Sequence, residues 1–427
     1  MGCVCMVKLL YVVLDGMADR LGDEVTTLEL ARKPGLDYIA ERGVCGLMYP
    51  IGKGIAPESD AAVISLLGYD PFKCYTGRGP LEALGAGMTF KEGYEVAFRA
   101  NFATVDPKTL RIIDRRAGRT LRSEEARILA EEIDGMELSH GGYVRVKATV
   151  GHRAVVIMGC RTGRLSPYVE NTDPAYGKKG LVSVAIKTYE PYVRKVKALA
   201  DTPEARLTAE LVNEFTRKVV EILDQHQVNV ERRKRGELPA NILLLRDAGS
   251  ELPKVEPVTK KYGLRFSLIA EMPIELGIGR AFRADVAEAP LPTSSPEHDY
   301  SVRLELALKA LEAHDIVYIH LKGPDEPGHD GNQLLKKEKI EAIDRYFIMP
   351  LLKELSSDVA VLVTADHATP PAVKAHTDDP VPVALKFEGI EPDAVAKLTE
   401  KECMKGSLGT IEHGWELLPK VLRMLSM

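Results

Sequence analysis

The run Asp325-Glu-Pro-Gly-His329, followed by Asp366-His367 and by His376, concentrates carboxylates and imidazoles behind short apolar stretches. Mixed oxygen and nitrogen donors of this kind suit divalent cations of intermediate softness. The N-terminal region supplies a matching piece: Leu9-Leu-Tyr-Val-Val-Leu14 reads as a buried strand and ends in Asp15-Gly16. In an open, mainly parallel sheet, ligands bind outside the carboxyl ends of the strands. Asp15, Asp325, His329, Asp366, His367 and His376 are therefore expected to converge from opposite ends of the chain. Together they offer enough ligands for two adjacent metal ions sharing a phosphate. Pro327-Gly328 argues against a regular helix across Asp325–His329, so this pair is expected on a loop. His298, His314, His320 and His413 lack a comparable setting and read as ordinary surface or partly buried histidines.

A two-metal site on a sheet edge also needs a nucleophile. The loop Gly52-Lys-Gly-Ile-Ala-Pro-Glu-Ser59 leads into the helical pattern Asp60-Ala-Ala-Val-Ile-Ser-Leu-Leu67. Ser59 then stands at a helix start, where free N–H groups and the helix dipole favour an anion. Serine is a weak nucleophile at neutral pH, and metal coordination is one way to activate it without a neighbouring base. Glu58 and Asp60 read as capping charges rather than ligands. A second chemical theme lies mid-chain. Arg111, Arg115, Arg116 and Arg119 fall close together around Asp114, and Phe98-Arg99-Ala-Asn101 and Gly151-His152-Arg153 add donors at further strand ends. Guanidinium groups bind carboxylate and phosphate in bidentate fashion, so such a group suits a small dianionic substrate.

These residues need a scaffold that brings distant segments together. The flanks, residues 7–72 and 315–427, alternate apolar strands with helical patterns, which indicates βαβ units around a parallel sheet. The middle reads as α+β: strands near Tyr94–Thr104, Tyr143–Val150, His152–Met158 and Asn241–Leu245, and a long helix over Pro203–Glu231. The basic run Arg232-Arg-Lys-Arg235 reads as a solvated turn. The expected division is a discontinuous catalytic domain, 1–75 and 276–427, interrupted by an inserted domain, 76–275. At 427 residues the chain exceeds one ordinary core. Its 45% hydrophobic and 28% charged content is that of a globular protein. A net charge of -5 argues against a nucleic-acid partner. The cysteines show no disulfide framework, and the C-x-C of Cys3 and Cys5 at the terminus reads as incidental. The sequence offers no run of about 18 apolar residues and no signal-peptide pattern, so a cytoplasmic enzyme without a membrane partner is expected.

The full set of motifs identifies a family resemblance. Val13-Leu-Asp15-Gly16, Ala56-Pro-Glu-Ser59-Asp60, Thr76-Gly-Arg-Gly-Pro80, Phe98-Arg-Ala-Asn-Phe-Ala-Thr104, Asp114-Arg-Arg-Ala-Gly-Arg119, Asp325-Glu-Pro-Gly-His329, Thr364-Ala-Asp-His367 and His376-Thr-x-x-Pro-Val-Pro382 together resemble the archaeal-type, cofactor-independent phosphoglycerate mutases of the alkaline phosphatase superfamily. The match runs in order from Val7 to the C-terminus. It implies an alkaline-phosphatase-like α/β fold, a mainly parallel sheet flanked by helices, with an inserted α+β domain. It implies an isomerase of glycolysis and gluconeogenesis that interconverts 3-phosphoglycerate and 2-phosphoglycerate through a phosphoserine, without 2,3-bisphosphoglycerate. Two divalent ions are implied, Mn²⁺ foremost, with Mg²⁺, Co²⁺ or Zn²⁺ as substitutes. By resemblance, Asp325, His329 and His376 hold one ion, and Asp15, Ser59, Asp366 and His367 the other, with Ser59 as nucleophile. Arg99, Asn101, Asp114, Arg115, Arg119, His152 and Arg153 fall in the domain that holds the glycerate. Relatives often carry a lysine where this chain has Leu276; either Arg280 supplies that charge instead or the metals alone screen the transferring phosphoryl group.

The nearest rival is a metal-dependent phosphomonoesterase or phosphonate hydrolase on the same fold; the mid-chain arginines favour the mutase. A sulfatase is disfavoured because Ser59 is followed by Asp-Ala-Ala. A non-catalytic metal-binding regulatory protein would require the loss of a ligand or of Ser59, and all are present. The sequence leaves homo-oligomer formation open.

Overall fold

Apolar runs that end in a charge become the strands of one large sheet. The computed structural model of the chain describes residues 7–179, 182–186 and 188–427, so Cys3 and Cys5 lie outside the described residues. Numbered along the chain, the strands are β1 (Lys8–Leu14), β2 (Val44–Met48), β3 (Val96–Val105), β4 (Ile112–Asp114), β5 (Gly142–Ala148), β6 (Arg153–Cys160), β7 (Tyr176–Lys179), β8 (Val182–Ala185), β9 (Ile242–Gly249), β10 (Phe266–Ala270), β11 (Asp285–Glu288), β12 (Ile316–Leu321), β13 (Val359–Thr364), β14 (Val381–Lys386) and β15 (Gly409–Ile411).

The chain divides into two compact units. The larger comprises residues up to Tyr75, Val255–Glu271 and Ile278–Met427; the smaller comprises Thr76–Lys254 and Met272–Gly277. The larger unit holds an eight-stranded sheet in the order β11-β10-β12-β1-β13-β14-β2-β15. Strand β14 is antiparallel to both neighbours, and every other adjacent pair is parallel. Strands β1, β12 and β13 are buried along almost their whole length, as parallel strands covered on both faces must be. Because β14 alone is reversed, the residues just before it reach the same edge as the carboxyl ends of its neighbours. This topology lets His376 join the residues that follow β1, β12 and β13.

The smaller unit is built on an antiparallel sheet in which β5, β6, β3 and β9 lie side by side and β4 pairs with the end of β3. The helix Pro203–Gln225 buries Leu211, Phe215 and Val219 in one apolar cluster with Phe98, Phe102, Val156 and Met158. Burial of aromatic and aliphatic side chains on this scale makes the unit a core of its own.

Four expectations require correction. Residues 255–271, expected in the insert, join the larger unit because β10 pairs in parallel with β11 and β12; a strand's partners are long-range and its own apolar run does not state them. The long helix expected over Pro203–Glu231 breaks at His226, which is extended and caps the next helix, Gln227–Lys234, with its ring accepting the Val228 N–H at 3.2 Å. Asp325–Asp330 forms a short helix, not a loop; Pro327 lies in the first turn, where no intrahelical N–H is needed. The run Arg232–Arg235 closes a helix in place of forming a turn, and although Arg233, Lys234 and Arg235 are exposed as expected, Arg232 is not. Arg232 is fully buried, pairs with Glu125 at 2.7 Å and Glu237 at 3.1 Å, and donates to the carbonyls of Ala117, Thr120 and Leu238. Among the described residues, no helix is long and apolar enough to cross a membrane, and Cys45, Cys74, Cys160 and Cys403 are free.

Candidate active site

In the larger unit, the carboxyl-end edge of the sheet gathers all six Asp and His side chains that the sequence singled out as ligands. Asp15 follows β1, and Asp366-His367 follow β13 after one intervening alanine. The helix Asp325–Asp330 follows β12, and His376 precedes β14. Ligand atoms of Asp325, His367 and His376 lie within 4.8 Å of one another, as do those of Asp15, Asp366 and His367. His367 thus reaches both groups. His329 Nε2 and His376 Nε2 each stand 3.4 Å from Asp325 Oδ1.

The backs of these side chains are held while their fronts are left facing one another. His376 Nδ1 lies 2.7 Å from the Pro57 carbonyl, His329 Nδ1 3.2 Å from the Lys374 carbonyl, and His367 Nδ1 2.9 Å from the Thr369 hydroxyl. A carbonyl only accepts, so Nδ1 of His376 and His329 carries the proton and Nε2 offers its lone pair inward. Gly16 N–H donates to Asp366 Oδ1 at 3.0 Å, which fixes that carboxylate. Asp15 Oδ1, Asp366 Oδ2 and His376 Nε2 are buried without a hydrogen-bond partner. Buried acceptors are normally satisfied, and three orphaned atoms converging from separate segments are a donor set that fits divalent cations. Outer partners on the far ring nitrogens are also what metal-ligating histidines require.

The charges respond to this crowding. Burial would raise the Asp15 carboxyl, but Lys322, 2.9 Å from Asp15 Oδ2, and His367 together hold it well below the usual range. Burial and the neighbouring Asp15 push Asp325 upward, yet His376 and His367 bring it down to about 2. Burial disfavours a charged His367, and the Asp366 and Asp15 carboxylates outweigh it, raising the imidazole well above its ordinary value. Three carboxylates at one edge demand compensating positive charge, which a bound cation would also supply.

Ser59 is the first residue of the helix Ser59–Leu66, reached from β2 by a loop, and its Oγ lies 3.2 Å from His367 Nε2. Its hydroxyl is therefore a neighbour of the ligand groups and does not cap the helix, whose cap residue Glu58 makes no side-chain cap bond. Asp60, expected as a capping charge, is buried and accepts from the Tyr75 hydroxyl at 2.5 Å and from the Ala61 N–H. His320 also departs from expectation. It is buried, with Nδ1 2.9 Å from the Tyr318 hydroxyl and Nε2 3.7 Å from Asp366 Oδ2. Tyr318, His320 and Lys322 alternate along and just beyond β12, so one strand face delivers all three; the period-two spacing was the available signal. Arg280 lies in the last turn of the helix Pro273–Ala281, 4.0 Å from Glu288, and Leu276 is buried.

The smaller unit carries the arginines. Arg99 on β3 sits directly opposite Arg246 on β9, and Asn101 opposite Arg153 on β6. Arg78 donates to Glu82 at 2.9 Å, and Arg99 Nε comes within 3.5 Å of the same oxygen. The Arg246 guanidinium lies 4.2 Å over the Tyr176 ring, and Arg115 clasps Asp173 with two bonds of 2.9 and 2.6 Å. Burial, then Arg246 and Arg78, lower the Arg99 guanidinium to about 9. Burial, then Arg153 and Arg116, depress the His152 imidazole to about 3. Cations that suppress one another's protonation mark a surplus of positive charge suited to an anion. Asn101 Oδ1, Arg99 Nε and Arg246 Nε are buried without hydrogen-bond partners. Asp114 accepts from the Arg116 and Gly118 N–H groups at 2.7 and 2.8 Å, shaping a turn in which Ala117, Gly118 and Arg119 are all left-handed. Such strain persists only where surroundings enforce it, and buried Arg232 holds this turn through Ala117 and Thr120. Arg246 and Tyr176 were not singled out from sequence, and Arg78 stood there only within the Thr76–Pro80 motif, without a role. Arg246-Asp247 closes an apolar run just as Asp15 does, and that signal was legible.

Similarity to known proteins is extensive. The sequence profile of the 2,3-bisphosphoglycerate-independent phosphoglycerate mutases matches residues 40–229. The enzyme of that name from Aeropyrum pernix is 48% identical over 98% of this chain and 100% of its own length. The solved cofactor-independent phosphoglycerate mutase of Thermoplasma acidophilum is 32% identical, with a TM-score of 0.61 over 98% of this chain and 100% of that one. A solved protein from Pyrococcus horikoshii, 29% identical, gives a TM-score of 0.77 over 99% of this chain and 98% of that one.

Proposed function

The chain belongs to the 2,3-bisphosphoglycerate-independent phosphoglycerate mutases, and on that premise we propose that it interconverts 3-phosphoglycerate and 2-phosphoglycerate through a phosphorylated Ser59. The observation that carries this reading is the Ser59 hydroxyl, 3.2 Å from His367 Nε2, beside inward-facing ligand atoms that have no hydrogen-bond partner. Asp325, His329 and His376 would hold one divalent ion, and Asp15, Asp366, His367 and Ser59 a second, with Mn²⁺ the best match to the mixed donor set. Such ions, when bound, lower the proton affinity of a serine hydroxyl and neutralise phosphoryl oxygens.

The chain's own residues divide the remaining work. The N-terminus of the helix Ser59–Leu66 turns the positive end of its dipole towards the phosphoryl group. Ser59 Oγ forms the new P–O bond as the bond to the glycerate oxygen breaks, and the serine proton ends on the departing hydroxyl. Lys322 and the Gly16 N–H hold Asp15 and Asp366 in place. Arg99, Arg115, Arg119 and Arg153, joined by Arg246, supply the positive surface that retains the anionic glycerate while it reorients, and Asn101 and His152 add neutral polar contacts. Its other hydroxyl then takes the phosphoryl group back and Ser59 regains a proton. Retention of the glycerate in place of water as acceptor separates this course from hydrolysis. The reading places the enzyme in the cytoplasm, serving glycolysis and gluconeogenesis.

The test is a coupled assay with 3-phosphoglycerate and enolase on chelator-treated protein. Turnover is expected to vanish on chelation and to return best with Mn²⁺, without added 2,3-bisphosphoglycerate. Full turnover in metal-stripped protein contradicts the reading.

A further inference from the structure

Thr369 follows Asp366-His367 by two residues and is completely buried, yet the reaction course above assigns it nothing. Its hydroxyl sits between the two ligand groups. Oγ1 donates to Asp325 Oδ1 at 2.7 Å and lies 2.9 Å from His367 Nδ1. A hydroxyl has one proton. The Asp325 carboxylate can only accept, so the proton goes there, and the oxygen accepts from the His367 Nδ1–H. That choice leaves His367 Nε2 facing Asp15, Asp366 and Ser59. One side chain thereby orients a ligand in each of the two groups.

The surroundings are built to hold this hydroxyl still. The Thr369 N–H donates to the Ala18 carbonyl at 3.0 Å, and its own carbonyl accepts from Lys336 Nζ at 2.9 Å. Lys336 is itself buried and bound to Asp19 Oδ1 at 2.6 Å and to the Ala18 carbonyl. Two glycines make room around it. A Cβ on Gly16 would fall 2.7 Å from Thr369 Oγ1 and 2.8 Å from Asp325, and a Cβ on Gly328 would fall 2.4 Å from the Thr369 carbonyl oxygen. One of these glycines follows Asp15 and the other lies between Asp325 and His329. Segments carrying Asp15, Asp325, His329 and His367 thus close onto the same threonine.

We propose that Thr369 is a positioning residue that couples the two metal sites, so that its hydroxyl sets the affinity of both ions. The proposal rests on the two-metal reading above, and its test separates the two. Chelator-treated wild type, Thr369→Val and Thr369→Ser are titrated with Mn²⁺ by calorimetry, which needs no turnover. Wild type is expected to take up two equivalents. Thr369→Val, nearly the same shape without the hydroxyl, is expected to bind both ions about 10- to 100-fold more weakly, the usual cost of removing an outer partner of a metal ligand. Thr369→Ser, which keeps the hydroxyl, is expected to stay close to wild type. Unchanged affinities in Thr369→Val, weakening of one ion alone, or a Thr369→Ser as weak as Thr369→Val would each overturn the coupling role. A wild type that binds no Mn²⁺ would sink the two-metal reading instead.

Discussion

The two clusters of this molecule are assembled in opposite ways. At the edge of the eight-stranded sheet, topology does the gathering. Parallel strands end side by side, the single reversed strand contributes from its start, and residues hundreds of positions apart in sequence meet. The inward atoms there are orphaned and the outward atoms anchored. In the smaller unit, register does the gathering. Arg99 faces Arg246 across an antiparallel pair, and each guanidinium is partly offset by a carboxylate such as Glu82, Asp173 or Asp247. The first arrangement suits small cations held by rigid ligands. The second suits a larger anion that is gripped, released and turned. The contrast teaches that a sheet edge gathers residues from distant segments, while a sheet face gathers charge by register.

The sharpest way to break this division is at Ser59. Ser59→Ala is expected to cut mutase turnover on the order of 10⁴-fold or more while leaving Mn²⁺ uptake by the six Asp and His ligands nearly intact. Appreciable residual turnover would move the nucleophile elsewhere. The next largest effect concerns the support of the retention surface. Arg232→Met removes a buried cation from Glu125 and Glu237 and from the strained turn at Ala117–Arg119, with an expected cost of about 3 kcal/mol in unfolding free energy, read as a lowered unfolding midpoint. An unchanged midpoint would return the basic run to the surface role first read for it.

How much of this was legible in sequence follows the same contrast. Most edge ligands announced themselves because the charge closes an apolar run, as Asp15 and Asp366 do; His376, expected behind such a run, instead precedes β14 and reaches the edge because that strand is reversed. Their anchors did not. His320, Lys322 and Thr369 matter only because a strand face or a tight turn aims them at Asp366, Asp15 and Asp325, and such aim is a three-dimensional fact. The helix at Asp325–Asp330 was hidden by Pro327, whose permissive first-turn position the spacing does not reveal. Arg232 was hidden by its neighbours: four basic residues in a row read as solvent-facing, and only one of them turns inward. The fold class was readable from alternating strands and helices, whereas the assignment of β10 to the larger sheet depended on partners far along the chain.

Two smaller effects sharpen the contrast within the smaller unit. Arg246→Ala or Arg119→Ala is expected to cost about 2–3 kcal/mol in the mutase step, on the order of 30- to 150-fold, with much less effect on hydrolysis of an aryl phosphate. Inorganic phosphate released from 3-phosphoglycerate should rise as a fraction of turnover. Equal loss of both activities would make these arginines structural. The smallest effect is a pH dependence. Unfolded His152 takes up a proton near 6.5, whereas the folded ring, buried among arginines, resists until about 3. The unfolded state then binds more protons, so this contribution to stability is present above pH 6.5 and fades as pH falls towards 3. Relative to His152→Gln, wild type is expected to lose about 1–2 kcal/mol between pH 7 and pH 4.5, after discounting for solvent screening. A difference between the two proteins that stays constant across this range would contradict the surplus of positive charge.

The most direct test of the central claim is to quench the enzyme during turnover with 3-phosphoglycerate and map the phosphorylated peptide by mass spectrometry. The account predicts one phosphoryl group on Ser59 in wild type and none in Ser59→Ala. Phosphate on a histidine, or a phosphoryl group that remains in the Ser59→Ala protein, would contradict it.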